Sequence, residues 1–442
     1  MEVLMSKTVS AFLWFAGVVA FGQTPSVLYR FTTSSGGCGP ESTLTEVRPG
    51  VFFGTTFGGV GSATNGTIFT ITSAGQYIEL HDFDKQTEGA NPQGALLNAS
   101  NGNLYGITTG QVNLIDPTIF RSDQLGNVTL LYTFAGGAQN FLQPSPLIEA
   151  NNGNLYGTTS QYADAEGNEG TFFEMTPGGS VNVLHTFNGE GTPNGPVIQA
   201  TDGNFYGLTT AGAYRLTSAG AFTPFSSIGT QPFGSLFQAA NAKLYGVNEA
   251  GSLFDLTLAG VPTNLYDFTF GNDGGVPSTA LMQATDGNLY GTTSQYGTSG
   301  LGTIFRLTPT GSLTTLYEFT SAEGGVSFSP DPAMIQGSNG VLYGLASGSC
   351  GSIYSLNLGL TAPKPHIKFF YPASGAVSTV IRLTGANFLG ATSVEFHGVK
   401  AKFGVRGADY IVAVVPAGAT SGSISVTTPN GTVISQTSFT VN

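Results

Sequence analysis

The chain has 442 residues, of which 40% are hydrophobic and only 9% are Asp, Glu, Lys or Arg, with 64 glycines and a formal net charge of −12. That is enough apolar material for two or three packed domains and argues against wholesale disorder. With 14 basic residues against 26 acidic ones, a protein that tracks nucleic-acid phosphates is excluded, and the neutral, hydroxyl-rich surface favours turns over helices.

The amino end reads as an export signal. Lys7 precedes an apolar run from Val9 to Phe21, and Ala20-Phe21-Gly22 places small residues where a signal peptidase cuts. Residues 1–22 are therefore expected to be removed, together with Trp14, the single tryptophan. The run is shorter than the ~20 apolar residues of a spanning helix, and no later stretch reaches that length. The expected protein is secreted, periplasmic or at the cell surface, and does not span the membrane.

From there to about residue 360 the sequence repeats. An aromatic-Gly pair recurs as Phe53-Gly54, Tyr105-Gly106, Tyr156-Gly157, Tyr206-Gly207, Tyr245-Gly246, Tyr290-Gly291 and Tyr343-Gly344, spaced 39 to 53 residues apart. A second motif follows each copy, as in GTIFTIT (66–72), PTIFRSD (117–123) and GTIFRLT (302–308). A third, of LYxF type, closes most units, as at 131–134, 184–187, 265–268 and 316–319. A short apolar run precedes each aromatic-Gly pair and is joined to it by Asn-Gly or Asp-Gly turns such as Asn101-Gly102 and Asp286-Gly287. Four short alternating runs per unit predict four-stranded antiparallel blades.

The seventh unit ends at Asn357 without an LYxF run, and the missing copy stands at the other end of the chain, Leu28-Tyr29-Arg30-Phe31. A displaced strand that completes the last blade is how a closed ring removes its edges. The expected fold of residues 23–360 is thus an all-β, seven-bladed β-propeller closed by an N-terminal strand. If residues 27–31 pair antiparallel with 351–357, Cys38 and Cys350, the two cysteines of the chain, come together, and in an exported protein they are expected to form a disulfide.

The repeated "dGNLYGTT…GTIFxLT…LYxF" unit resembles the GloVer tandem repeat of exported bacterial proteins, over about residues 24–358. The resemblance implies bacterial surface or secreted origin and no particular activity. Units one, four and five depart from it: Val51-Phe52-Phe53 replaces NLY, the fourth lacks LYxF, and the fifth has Asn241-Ala242-Lys243.

Pro363 and Pro365 mark a linker (361–365). Residues 366–442 resemble an IPT/TIG domain, an immunoglobulin-like β-sandwich, in Pro372–Gly375, Leu383–Phe388, Val394–Gly398, Val415-Pro416 and Ile424–Gly431. Charge divides between the two parts. Residues 23–363 carry 7 basic and 23 acidic side chains and residues 364–442 carry 6 and 2, which reads either as a small module that drifted basic or as a polarity for docking of one part on the other or on a negative envelope component.

Within each unit the first-to-second and third-to-fourth connections are short, and the long ones all fall on one face, where binding loops are expected. Candidate ligand-binding residues there are Phe57, Tyr162, Asp164, Glu166, Glu169, Tyr296 and Phe328. His81 and His185 occupy the place of Tyr132, Tyr266 and Tyr317 in other units and read as packed strand residues, leaving no base for a Ser-His-Asp arrangement. No catalytic residue, metal ligand or cofactor is assigned. The Asp164–Glu169 segment alternates oxygen side chains in a way that suits Ca²⁺, without the glycine placement of an EF-hand. The function expected is non-catalytic binding of a glycan or an extracellular protein by a monomer, with the C-terminal module as spacer or attachment. The alternatives are a polysaccharide-active enzyme using paired carboxylates, or a purely structural surface protein.

Overall fold

The computed structural model describes residues 24–442 except 33–37, 41, 59–64, 111–114, 136–141, 162–167, 226–231, 278–280, 321–333, 347–349 and 409. The described residues form strands and turns and no helix, and none therefore forms a helix long and apolar enough to cross a membrane.

Between Ser26 and Leu356, seven antiparallel sheets of four or five strands follow one another among the described residues. Sheet one comprises Thr45–Arg48, Val51–Thr56, Thr67–Thr72 and Tyr77–Asp82, and sheet two Pro92–Asn98, Leu104–Thr108, Thr118–Ser122 and Val128–Thr133. The middle strands of sheets three to six are Leu155–Ser160 with Asn168–Met175, Phe205–Thr209 with Gly212–Leu216, Leu244–Asn248 with Ser252–Leu256, and Leu289–Gln295 with Thr303–Leu307. Sheet seven takes Ile335–Gln336, Leu342–Ala346 and Ser352–Leu356 from the end of the repeats and Ser26–Arg30 from their beginning. Ser26 pairs with Ser355 and Arg30 with Ser352 in this displaced strand. Cys38 and Cys350 are disulfide-bonded beside it, their Cα atoms 4.4 Å apart.

The two most regular motifs exist because of each other. In every sheet the glycine of the aromatic-Gly pair lies directly opposite an aromatic residue of the next strand, as in Gly54–Phe69, Gly106–Phe120, Gly207–Tyr214 and Gly291–Phe305. A Cβ on Gly291 would stand 2.6 Å from Phe305 Cζ, and one on Gly106 2.3 Å from Phe120 Cζ. Neither glycine is among those with a positive φ, so it is the ring lying across the backbone that demands glycine. The aromatic preceding the glycine is itself buried in all seven copies, each contributing about 2–3 kcal/mol of burial.

These rings point between sheets rather than within them. Phe53, Ile68 and Phe83 of sheet one share a core with Leu96, Leu104 and Phe120 of sheet two. The same arrangement joins two to three, three to four, four to five, five to six and six to seven. Sheet seven then packs on sheet one through Phe31, Tyr343, Leu345 and Ile353 against Phe52, Phe69 and Ile71, with both cysteines in that cluster.

A second set of joints runs through polar side chains. A Glu or Gln in the first strand of a sheet accepts the backbone N–H of the short turn in the preceding sheet. The joints are Ser100 N–H to Glu149 (2.8 Å), Asn151 to Gln199 (2.9 Å), Thr201 to Gln238 (2.9 Å), Ala240 to Gln283 (2.9 Å) and Thr285 to Gln336 (3.0 Å). Ser338 of sheet seven donates its N–H to Glu46 of sheet one at 2.8 Å. The equivalent residue of sheet two is Asn98, one methylene shorter than Gln; it is buried, and its amide has no hydrogen-bond partner.

The C-terminal residues form two further sheets, one of His366–Tyr371, Val380–Ala386, Tyr410–Val414 and Lys402–Gly407, the other of Ser374–Gly375, Gly431–Val441, Gly422–Thr428, Ser393–Phe396 and Val399–Lys400. Ile367, Ile381, Leu383 and Ile411 of the first face Val394, Phe396, Ile424, Val426 and Phe439 of the second across one shared core.

Candidate binding surface

The short-turn face of the repeats is where the C-terminal module rests. Arg382 forms an ion pair with Glu149 of sheet three at 2.5 Å, and its guanidinium also lies over the Tyr410 ring. Lys368 Nζ donates to the Gln199 carbonyl at 3.1 Å, and its partial burial there pushes its pKa below the usual lysine range. Asn430 donates to the Ser338 carbonyl of sheet seven at 3.2 Å. The linker carbonyl of Thr361 accepts from Thr285 and Gln336 of sheets six and seven. The basic module thus meets the acidic repeats, as the charge division suggested, although one ion pair and several backbone contacts do the joining.

The opposite face carries the long connections. Of the sequence-predicted residues, Phe57 is half-buried beside the disulfide, its N–H donating to the Gly39 carbonyl at 2.8 Å. Glu169, on the strand Asn168–Met175 of sheet three, accepts the Gly191 N–H at 2.8 Å and so ties the connection to the next sheet onto that strand. Tyr296 is 41% exposed on a loop of sheet six. These three stand on three different sheets. Tyr162, Asp164, Glu166 and Phe328 lie outside the described residues, as does most of the segment considered for Ca²⁺.

The structure adds residues that the sequence reading passed over. Phe270 is 42% exposed and meets Tyr296 edge-to-face, ring centroids 5.3 Å apart. His81 and His185 do sit on strands, but each turns its Nε2 to a loop carboxylate, Glu88 at 2.8 Å and Glu190 at 2.6 Å. So histidine does reach the loop face, which composition by motif did not reveal. Tyr266 makes the same contact in sheet five, donating its hydroxyl to Asp273 at 2.8 Å. Burial and the neighbouring carboxylate push Tyr266 up to about 12. Partial burial opposes ionisation of Asp273, but hydrogen bonds from Thr269, Tyr266 and Gly271 outweigh it and hold its pKa below the usual carboxylate range. The signal for these pairs was present as a His or Tyr followed by Glu or Asp five to seven residues later.

A cavity of about 110 Å³ opens where sheets two, three and four begin, lined by Gln93, Gln143, Ser145, Thr158 and Asn194 together with prolines and no ionisable side chain. Among the described residues no group of three or more His, Cys, Asp or Glu side chains converges as a metal site. The cavity offers hydrogen bonding by amides and hydroxyls, and the rest of the loop face adds two exposed rings and the His–Glu and Tyr–Asp pairs.

Residues 18–164 and 213–398 match the Gloeobacter/Verrucomicrobia repeat. The chain belongs to that repeat family. No curated protein matches the sequence. Among solved structures, virginiamycin B lyase from Staphylococcus aureus is similar at 18% identity and a TM-score of 0.53, over 72% of this chain and 94% of that one. The extracellular domain of a hybrid two-component system from B. thetaiotaomicron is similar at 12% identity and a TM-score of 0.54, over 94% of this chain and 56% of that one. A second such extracellular domain from the same organism gives 11% and 0.52, over 96% of this chain and 59% of that one. The repeat-family chain therefore spans just over half the length of those two domains. At these identities the likeness concerns the all-β, propeller-like fold.

Proposed function

We propose that this member of the repeat family is an exported, non-catalytic binding protein. In this reading residues 1–22 are a cleaved signal peptide and 23–360 a closed seven-bladed β-propeller. Residues 361–365 are a linker and 366–442 an immunoglobulin-like module of IPT/TIG type. The long-loop face of the propeller receives a glycan or an extracellular protein, and the module serves as spacer or attachment. The observation that carries this is the occupied short-turn face: Arg382, Lys368 and Asn430 hold the module there, leaving the long-loop face open with its exposed rings and its amide-lined cavity. The disulfide supports export, since such bonds persist in oxidising compartments.

The test uses residues 23–442 on a glycan array and on a panel of extracellular proteins, with and without Ca²⁺. A ligand found there is re-measured after a polyethylene-glycol maleimide is attached at Gln86→Cys on the long-loop face or at Leu125→Cys on a short hairpin. Blocking at Gln86 alone supports the reading. Blocking at Leu125 alone overturns it, and hydrolysis of a bound glycan overturns the non-catalytic part.

A further inference from the structure

We infer that Phe270 and Tyr296 form a preorganised stacking platform for the face of a neutral sugar ring, which deepens the binding reading above and rests on it. The two rings come from different loops, the connection between sheets five and six and the loop after Leu289–Gln295. Gly297 N–H donates to the Gly271 carbonyl at 2.9 Å and ties those loops together. On one side Asp273 accepts from the Thr269 N–H and the Tyr266 hydroxyl, both at 2.8 Å. On the other Glu318 accepts from the Thr298 N–H at 2.8 Å and from its hydroxyl.

The backbone is held where bulky residues rarely sit. Phe270 has φ 57°, Val276 φ 52° and Tyr296 φ 63°, each costing about 1–3 kcal/mol. Between the rings lies Gly275, whose φ is not positive. A Cβ there would stand 2.6 Å from Phe270 Cδ1 and 2.6 Å from Tyr296 Cδ2, so glycine is needed only because the rings close over it. Strain of this kind persists where surrounding contacts over-determine it and where the held geometry is used. Here it leaves two large rings, set edge-to-face, 42% and 41% exposed, the opposite of what packing alone would select.

The rim identifies the occupant. Asn272 and Ser299 are exposed on the same two loops as the rings and offer an amide and a hydroxyl, while the exposed Thr269 and Thr298 donate their hydroxyls to Asp273 and Glu318 and keep only acceptor capacity. Asp273 already accepts from Tyr266, Thr269 and Gly271, so its carboxylate has little left to coordinate a metal cation. A pyranose presents a patch of C–H groups to an aromatic face and hydroxyls to the rim. A proline-rich peptide would leave the rim's acceptors unmet.

The experiment is affinity electrophoresis of residues 23–442 through native gels containing xyloglucan, mixed-linkage β-glucan, galactomannan or dextran. The variants are Phe270→Asn, Tyr296→Asn, Tyr296→Phe and Gly275→Ala, with Tm measured in parallel. Asn tolerates the left-handed backbone, so the Asn variants keep the fold and relieve strain. The expected result is retardation by at least one polysaccharide. The two Asn variants should weaken it by about tenfold or more at an equal or higher Tm, and Tyr296→Phe should keep it. Retardation that survives both Asn variants overturns the platform and leaves the long-loop face to be located elsewhere. If no polysaccharide retards the wild type the platform is also overturned, while the binding reading is still decided by the maleimide-blocking test, which scores protein ligands as well.

Discussion

Opening the Cys38–Cys350 bond is the sharpest test of how the first and last sheets of the repeats are held together. The two residues are 312 positions apart, so the bond encloses nearly all of the repeats. In the chain-entropy treatment a loop of that size removes about 6 kcal/mol of freedom from the unfolded chain, and measured losses on removing native disulfides are about 2–5 kcal/mol. The native state should scarcely change, because the Ser26–Arg30 strand stays paired with Ser352–Leu356 and Phe31 stays in the core shared with Phe52 and Phe69. The assay is guanidinium unfolding of Cys38→Ser, Cys350→Ser and the double variant. With a denaturant slope of about 5 kcal/mol per molar, the midpoint should fall by about 0.4–1 M. The slope itself should rise, because the uncrosslinked chain exposes more surface when unfolded. All three variants should coincide, since each opens the same bond. Equal midpoints for wild type and variants would refute the reasoning, and a variant that loses native sheet content before denaturant is added would show that the strand does not close the ring alone.

Other consequences can be measured singly. Gly291→Ala should lower stability by about 1–3 kcal/mol through overpacking on Phe305, whereas Gly102→Ala, with open space around its Cβ and φ 85°, should cost only about 1 kcal/mol of backbone strain. Arg382→Ala should loosen the C-terminal module, seen as faster proteolysis near residues 358–365 and a larger radius of gyration in X-ray scattering; unchanged values would sink the docking role of the Glu149 pair. In Asp202 and Asp286 burial opposes ionisation, but hydrogen bonds from the following Asn and from Tyr206 or Tyr290 prevail and lower the folded-state pKa below 3.8. Their contribution is therefore complete at neutral pH and is lost as pH falls below 3.8 through the folded value. Asp286→Asn should flatten that acid limb of a Tm-against-pH curve and leave neutral behaviour closer to wild type.

Much of the architecture was legible because the period, the Asn-Gly turns and the displaced LYRF run each constrain strand order independently. The disulfide followed from the same register. Where the glycine of each aromatic-Gly pair sits was legible as a motif, but its reason, a ring on the facing strand, required the register to be seen. The binding surface was less legible. Tyr296 stood out as an aromatic in a long loop, while Phe270 looked like one more residue after an LYDF strand. What distinguishes it is a positive φ and a partner on another loop, neither of which has a local signature. The joints made by Glu46, Glu149 and the four glutamines were hidden for the same reason, since each acts on a neighbouring unit.

Asn98 makes the contacts between successive sheets uneven. The place where the first and last of the seven sheets meet carries a β-strand pairing, a disulfide, a shared aromatic core and the Glu46–Ser338 joint. The seam between sheets one and two keeps its apolar core and a hydrogen bond from the Thr45 hydroxyl to the Leu96 carbonyl at 2.7 Å, but lacks the turn-to-carboxylate or turn-to-amide joint found at the other six. Under pulling or in mild denaturant, the sheets should then part first between the first and second. The covalent staple protects the joint that is already strongest, so slow hydrogen exchange is to be sought near Tyr343 and Ile353 and early exchange near Val47 and Asn98.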